Sequence, residues 1–287
     1  MGARAHFEDP VYYAKTYEDR IEDASYYRAL AIQHGAVLEH GVGNGRIALP
    51  IARAGASVTG IDHSRPMLDH LREQLKAEPS AVRRRMKLVE GDIRTTRLGE
   101  RFPLVICPFN TALHLYTRRD VELWLDRVRE HLLPDGELVF DISMPVPQDL
   151  ARDPAVPYRT PPFDHPTAGR VRYREHFDYD AVRQILFVSM FFEPMARKTK
   201  TGRARRAPAE EFMTPLAHRQ FYPCEMEALL HYNGFEVTAL YGDFARGPLV
   251  QRSDVMVWHA RPRRGRADAR ARSGRVRTAL RARGRAA

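Results

Sequence analysis

Apolar residues along this chain gather in short dense runs separated by amphipathic stretches, the pattern of buried strands alternating with surface helices. Residues 37–41 form an apolar strand; Ile47, Ile51 and Ala54 then recur at helical spacing, and 56–61 returns as a second short strand. Residues 86–93 read as a third strand, ending in Asp92 and Ile93, and 104–110 as a fourth. Between 120 and 142 the pattern gives a helix, a turn around Pro134, Asp135 and Gly136, and a fifth buried strand. Residues 222–244 give a helix stopped by Asn233 and Gly234, then a strand, and 253–260 a final strand. A glycine C-cap followed by an aromatic strand is ordinary αβ punctuation. The alternation predicts a doubly wound α/β domain with a mostly parallel sheet.

Two stretches break this rhythm. Residues 145–166 are proline-rich and are expected to form a loop; 171–178 and 182–193 then read as two strands around the turn Tyr179-Asp180-Ala181. Residues 197–206 hold six bases and no acid and suit a hairpin tip or loop, while 218–221 suits a third returning strand. Before the first strand come Tyr12, Tyr13, Tyr17, Tyr26 and Tyr27, of which Tyr13 and Tyr17, four apart, share a helix face. The expected organisation is a helical segment at 1–35, a core at 36–144 and 222–260, an inserted antiparallel β region at 145–221 and a tail at 261–287.

With 287 residues and 44% hydrophobic content, the chain suffices for one main domain with a sizeable core. Cys107 and Cys224 have no metal-ligand spacing, and so sparse a pair fits a reducing, cytoplasmic setting. The longest apolar run, 185–192, is interrupted by Ser189 and is far below the roughly 20 residues that span a bilayer. The first ten residues carry no apolar signal core, so neither export nor membrane anchoring is expected. The net charge of +10 suggests a nucleic-acid partner until it is located. From Arg261 onward there are eleven arginines against Asp268 alone, which accounts for the whole excess and leaves residues 1–260 balanced. A tail so poor in large apolar residues is expected to be disordered. The neutral body argues against nucleic acid and for a small-molecule partner.

The candidate chemistry lies in VLEHGVGNGR at 37–46 and IDHSRPML at 61–68. Gly41, Gly43 and Gly45 permit a sharp turn after the first strand, and Asp62, ending the second, faces that turn and can accept from two ribose hydroxyls. A dinucleotide turn has G-x-G-x-x-G, with a final glycine where this chain has Arg46. Glu39 would also stand unfavourably near a pyrophosphate, whereas it suits a ligand carrying an ammonium group. A dehydrogenase is therefore disfavoured, and an amino-acid-bearing nucleoside favoured.

The E-x-G-x-G-x-G run followed by an acid at the end of the second strand resembles the class I S-adenosylmethionine-dependent methyltransferases. That resemblance extends over about residues 36–260 and implies a seven-stranded sheet, with the antiparallel insert as a lid or as a homodimer surface. It implies S-adenosyl-L-methionine as cofactor, released as S-adenosyl-L-homocysteine. The cofactor set carried over is Glu39, Gly41, Gly43, Gly45, Asp62, His63, Met67, Asp92, Ile93 and Phe109, with Asp92 and Ile93 meeting the adenine. Transfer to an oxygen or nitrogen of a small metabolite needs mainly placement, and a base only when the acceptor arrives protonated. His114, just past the fourth strand in PFNTALHL, is the candidate base. Tyr13, Tyr17, Asn110, His176 and His218 are candidates for contact with the substrate. Two other readings stay open: an RNA or protein methyltransferase using the basic tail, and a non-catalytic cofactor-binding partner subunit.

Overall fold

A computed structural model describes residues 5–195 and 210–263; the basic run at 197–206 and nearly all of the arginine-rich tail lie outside the described residues. The elements in order are α1 (Pro10–Thr16), α2 (Glu22–His34), β1 (Ala36–His40), α3 (Ala48–Arg53), β2 (Ser57–Asp62), α4 (Arg65–Ala77), α5 (Ser80–Arg83), β3 (Met86–Glu90) and β4 (Phe102–Cys107). There follow α6 (Arg118–His131), β5 (Leu132–Ser143), α7 (Pro147–Leu150), β6 (Tyr158–His165), β7 (Gly169–Asp180), β8 (Ile185–Pro194), β9 (Phe212–Arg219), α8 (Pro223–Tyr232), β10 (Phe235–Tyr241) and β11 (Val255–Pro262).

Seven strands form one sheet in the order β10-β11-β5-β4-β1-β2-β3. The run from β3 to β5 is parallel, and β11 lies antiparallel between β5 and β10. Alternation along the strands assigns side chains to two faces. Leu38, Val105, Phe140 and Trp258 pack under α6 and α8 with Trp124 and Leu230. Val37, Leu104, Ile106 and Val139 pack under α2, α3 and α4 with Tyr27, Ile51 and Leu68. Both faces are covered, so the central strands read as unbroken apolar runs. Helix starts are marked locally: Thr117 and Asp120 form a capping box at α6, and Ser64 caps α4.

The insert is a separate four-stranded antiparallel sheet, β6-β7-β8-β9. Its inner face buries Val171, Val188, Met190 and Phe192 against Tyr12 of α1. Two boundaries differ from the sequence reading. The proline-rich stretch contains β6, an edge strand whose register slips between Thr160 and Phe163, where Pro161 and Pro162 interrupt the pairing. The returning strand is β9, beginning at Phe212 instead of 218; Pro215 is tolerated because β9 is the other edge. In the core, β3 ends at Glu90, so Asp92 and Ile93 sit on the loop beyond it. The turn expected at Pro134–Gly136 survives as a register slip: a two-residue step along β4, from Phe102 to Leu104, faces a five-residue step along β5, from Leu132 to Glu137.

Candidate functional site

The strand order reverses at β1, which has β2 on one side and β4 on the other, so the crevice lies beyond the carboxyl ends of these strands. The chain leaves β1 through the glycine turn, pinned by Gly41 and Val42 N–H groups donating to Ile61 O at 2.8 and 3.1 Å. Gly41 has φ +76, and a Cβ there would stand 2.5 Å from the Thr111 side chain, while a Cβ on Gly45 would strike Leu71 of α4. The outer two glycines therefore serve close packing. Gly43 is the open one, and its N–H donates to Asp62 Oδ2 at 2.7 Å. Asp62 Oδ1 accepts from Ser64 N at 2.8 Å, so the carboxylate spans the turn and the start of α4. Burial raises its pKa against the pull of these donors.

Glu39 is 2% exposed and its Oε2 is buried without a hydrogen-bond partner. Burial drives its pKa well up, with Arg46 opposing. It lines a cavity of about 30 Å³ together with Tyr13, Gly43, Arg46, Phe109 and Thr111. Arg46 grips the buried carboxylate of Asp23 through two bonds of 2.8 and 2.6 Å and donates to Arg20 O at 3.0 Å, tying α2 to the glycine turn. The guanidinium groups of Arg20 and Arg46 lie over the Phe109 ring at 4.5 and 4.8 Å, and Tyr17 meets its edge at 4.7 Å. Tyr13 packs against Tyr17 at 4.7 Å, and burial raises both phenols, Tyr17 to about 12.

Phe109 and Asn110 both have left-handed backbone, φ 52 and 64, a costly conformation for an aromatic residue. Asp141 at the end of β5 holds it: Oδ1 accepts from Phe109 N at 2.9 Å and from Tyr27 Oη at 2.6 Å, and Asp141 O accepts from Asn110 N at 3.2 Å. Burial raises the Asp141 pKa to about 6. The Asn110 side chain is spent on Ser143, accepting from its N at 2.7 Å and donating to its Oγ at 3.0 Å, which makes Asn110 a clamp on the loop.

At the far side of the turn, Met67 is buried with its Cε 3.8 Å from the position of a Cβ on Gly43, and the exposed His63 has Nδ1 3.9 Å from Asp62 Oδ1. Asp92 is engaged by Arg94, whose Nε and Nη2 donate to Oδ2 at 3.1 and 2.6 Å and whose other arm pairs with Asp120. This bond holds the Asp92 pKa down. Ile93 packs against the core beside it.

His114 ends a short 3-10 turn, Thr111–His114, beyond β4. Its ring meets Phe7 at 5.4 Å and His218 of β9 at 5.1 Å. Burial lowers its pKa to about 4, with His63 and His6 adding to this and the Ala217 carbonyl opposing. Burial takes His218 well below its ordinary value and His6 to about 4; His6 Nε2 stands 3.3 Å from the Tyr17 hydroxyl. His6, Tyr13, Tyr17 and Phe109 thus join His114 and His218 through Phe7 in one connected group over the crevice. His176 is not part of it: it pairs with Ser189 where His218 pairs with Leu186, which puts it on the opposite face of the insert, with Nδ1 2.8 Å from Pro154 O.

Sequence reasoning missed Asp141, Arg94, Thr111, Tyr116 and the role of Arg46. An acid inside the apolar run ELVFDI was a visible signal for Asp141; the others depend on side chains converging from distant elements.

Residues 37–136 match the family described as "Methyltransferase domain". The dTDP-3-amino-3,6-dideoxy-alpha-D-glucopyranose N,N-dimethyltransferase of Streptomyces fradiae is 31% identical over 144 residues, covering 49% of this chain and 53% of the relative. The chain spans about half the length of the curated relatives it matches. Among solved structures, the CcbJ methyltransferase from Streptomyces caelestis superposes with a TM-score of 0.67 at 26% identity, over 85% of this chain and 89% of that one. The glycopeptide N-methyltransferase MtfA complexed with S-adenosyl-L-methionine shares the fold, with a TM-score of 0.56 at 23% identity over 84% and 87%.

Proposed function

We propose, from the premise that the chain carries a class I methyltransferase domain, that it transfers a methyl group from S-adenosyl-L-methionine to a nitrogen or oxygen of a small metabolite. The observation that carries this reading is Glu39, a buried carboxylate with an unpartnered oxygen facing the cavity at the glycine turn. An isolated buried carboxylate is costly, and a cationic ligand group with N–H donors relieves it. Gly43 leaves backbone room beside it, and each Asp62 oxygen keeps a lone pair for a ribose hydroxyl. These features fit an adenosine bearing an amino acid better than they fit a dinucleotide.

The cofactor supplies a methyl group already activated on a sulfonium. What the chain supplies is orientation and exclusion of water: Phe109, Tyr13 and Tyr17 close the crevice, and His114 stands at its edge as the proton acceptor. Burial keeps the His114 imidazole neutral at pH 7, with one ring lone pair free, and makes it a weak base. Nitrogen is favoured over oxygen because two of the proteins compared are N-methyltransferases by name. The balanced charge of residues 1–260 favours a small acceptor over RNA. The inserted sheet, where Tyr158 and Phe212 are exposed on one face, is the surface on which two copies would pair. Among the described residues no helix is long and apolar enough to cross a membrane.

Titration calorimetry with S-adenosyl-L-homocysteine tests the reading. Binding is expected to the wild type, and to Glu39→Gln with affinity reduced roughly 10-fold or more, from the loss of about 1.5–3 kcal/mol of charge-assisted hydrogen bonding. Binding of NAD in place of S-adenosyl-L-homocysteine would overturn it.

A further inference from the structure

Tyr116 links the candidate base to the inserted sheet. Its hydroxyl lies 3.1 Å from Ala217 O of β9 and 3.3 Å from His114 Nδ1. A carbonyl can only accept, so toward Ala217 the hydroxyl is the donor.

The pairing of β8 with β9 explains why this carbonyl needs an outside donor. Gln220 N–H donates to Gln184 O at 2.7 Å, which makes 184/220 a hydrogen-bonded pair. Hydrogen-bonded and non-hydrogen-bonded pairs alternate along an antiparallel ladder. The register then runs Ile185 with Arg219, Leu186 with His218 and Phe187 with Ala217, so Phe187 and Ala217 form a non-hydrogen-bonded pair. The Ala217 carbonyl therefore points away from β8, to the open edge of the sheet, in a residue that is itself buried. A buried carbonyl without a partner is strongly disfavoured; Tyr116 supplies a hydroxyl donor, and the imidazole of His114 lies against the same carbonyl.

A phenol has one proton. With that proton on Ala217 O, the Tyr116 oxygen is left to accept, an arrangement that favours the hydrogen of the neutral imidazole on Nδ1. Nε2 then carries the free lone pair. Phe7 and His218 stand edge-on against the ring and hinder the flip that would exchange the two nitrogens.

We propose that Tyr116 is a positioning residue which, anchored on the Ala217 carbonyl of the inserted sheet, fixes His114 as the Nδ1–H tautomer and leaves Nε2 to receive the proton of the methyl acceptor. This rests on the methyltransferase reading for its chemistry and on the hydrogen-bond chain for its geometry. The proton leaving the acceptor nitrogen or oxygen ends on Nε2, giving an imidazolium whose Nδ1–H remains bonded to Tyr116. The competence of the base is thereby tied to β9 lying against the loop after β4.

The test is a long-range ¹H–¹⁵N correlation spectrum of the full chain labelled with ¹⁵N-histidine, with His114 assigned by the signals lost in His114→Gln. The expected wild-type pattern is a protonated Nδ1 and a bare Nε2; in Tyr116→Phe the proton is expected to shift to Nε2. A wild-type Nε2–H tautomer would overturn the proposal even if the variant failed to fold. So would a folded Tyr116→Phe protein whose His114 pattern is unchanged. Calorimetry with S-adenosyl-L-homocysteine on the same samples separates the two ideas: absent binding strikes the methyltransferase reading and leaves the tautomer result standing.

Discussion

Asp141→Asn is expected to flatten the dependence of stability on pH between 4 and 7. The carboxyl is 1% exposed, and Tyr27 Oη and Phe109 N both donate to the same oxygen, Oδ1. An asparagine can keep its amide oxygen at that position and accept both bonds, so the loop geometry is retained. What it loses is the titration. Burial lifts the folded-state pKa to about 6 from an ordinary value of 3.8. The folded state therefore holds the proton more tightly than the unfolded chain. The associated stabilisation is complete below pH 3.8 and is lost as pH rises through about 6. A gap of about two between the pKa values, at roughly 1.4 kcal/mol each, amounts to about 3 kcal/mol. Urea unfolding of both proteins at pH 4, 5, 6 and 7 measures it: the difference in unfolding free energy, variant minus wild type, should grow by about 2–3 kcal/mol across the series. Parallel curves for the two proteins would refute the argument that Asp141 is a desolvated carboxyl.

Two further outcomes are expected. Arg46→Ala should destabilise the fold by about 3–5 kcal/mol in urea, because it leaves the Asp23 carboxylate buried at 1% exposure without its bidentate partner; combining it with Asp23→Asn should recover most of the loss, and a single variant as stable as wild type would show that the pair carries no weight. Truncation after Arg263 should leave the melting temperature and S-adenosyl-L-homocysteine affinity unchanged, because Arg263 N still closes onto Gly234 O at 2.7 Å; a truncated, folded protein that no longer binds would make the tail part of the site.

The core was legible because its central strands are buried on both faces: with the two half-buried edges they make seven apolar runs in αβ alternation that fix the order of elements, and the glycine turn with Asp62 marks the crevice. The proline-bearing edge strands of the insert were not. β6 and β9 contain prolines that a central strand would reject, so the pattern reads as loop where solvent-facing backbone tolerates the missing donor. The histidines separate for a different reason. His176 and His218 are equally polar and lie in the same insert, but residues two apart share a face and residues one apart do not, so only the register distinguishes them. Arg46 was noticed only as a residue occupying a glycine position, since an ion pair to Asp23, across 23 residues, leaves no local signature.

The aromatic group over the glycine turn bears on how fast a ligand can come and go. Phe109, held left-handed under two arginines, with Tyr13 and Tyr17 against it, narrows the space beside Glu39 to a cavity of about 30 Å³. A nucleoside entering beside Glu39 meets these rings, so its binding is coupled to how far the stack parts. The apparent dissociation constant is then the intrinsic one divided by the fraction of molecules already open. To the extent that the stack must open, entry and escape pass through the same rearrangement, so on-rate and residence time are coupled through the same few rings.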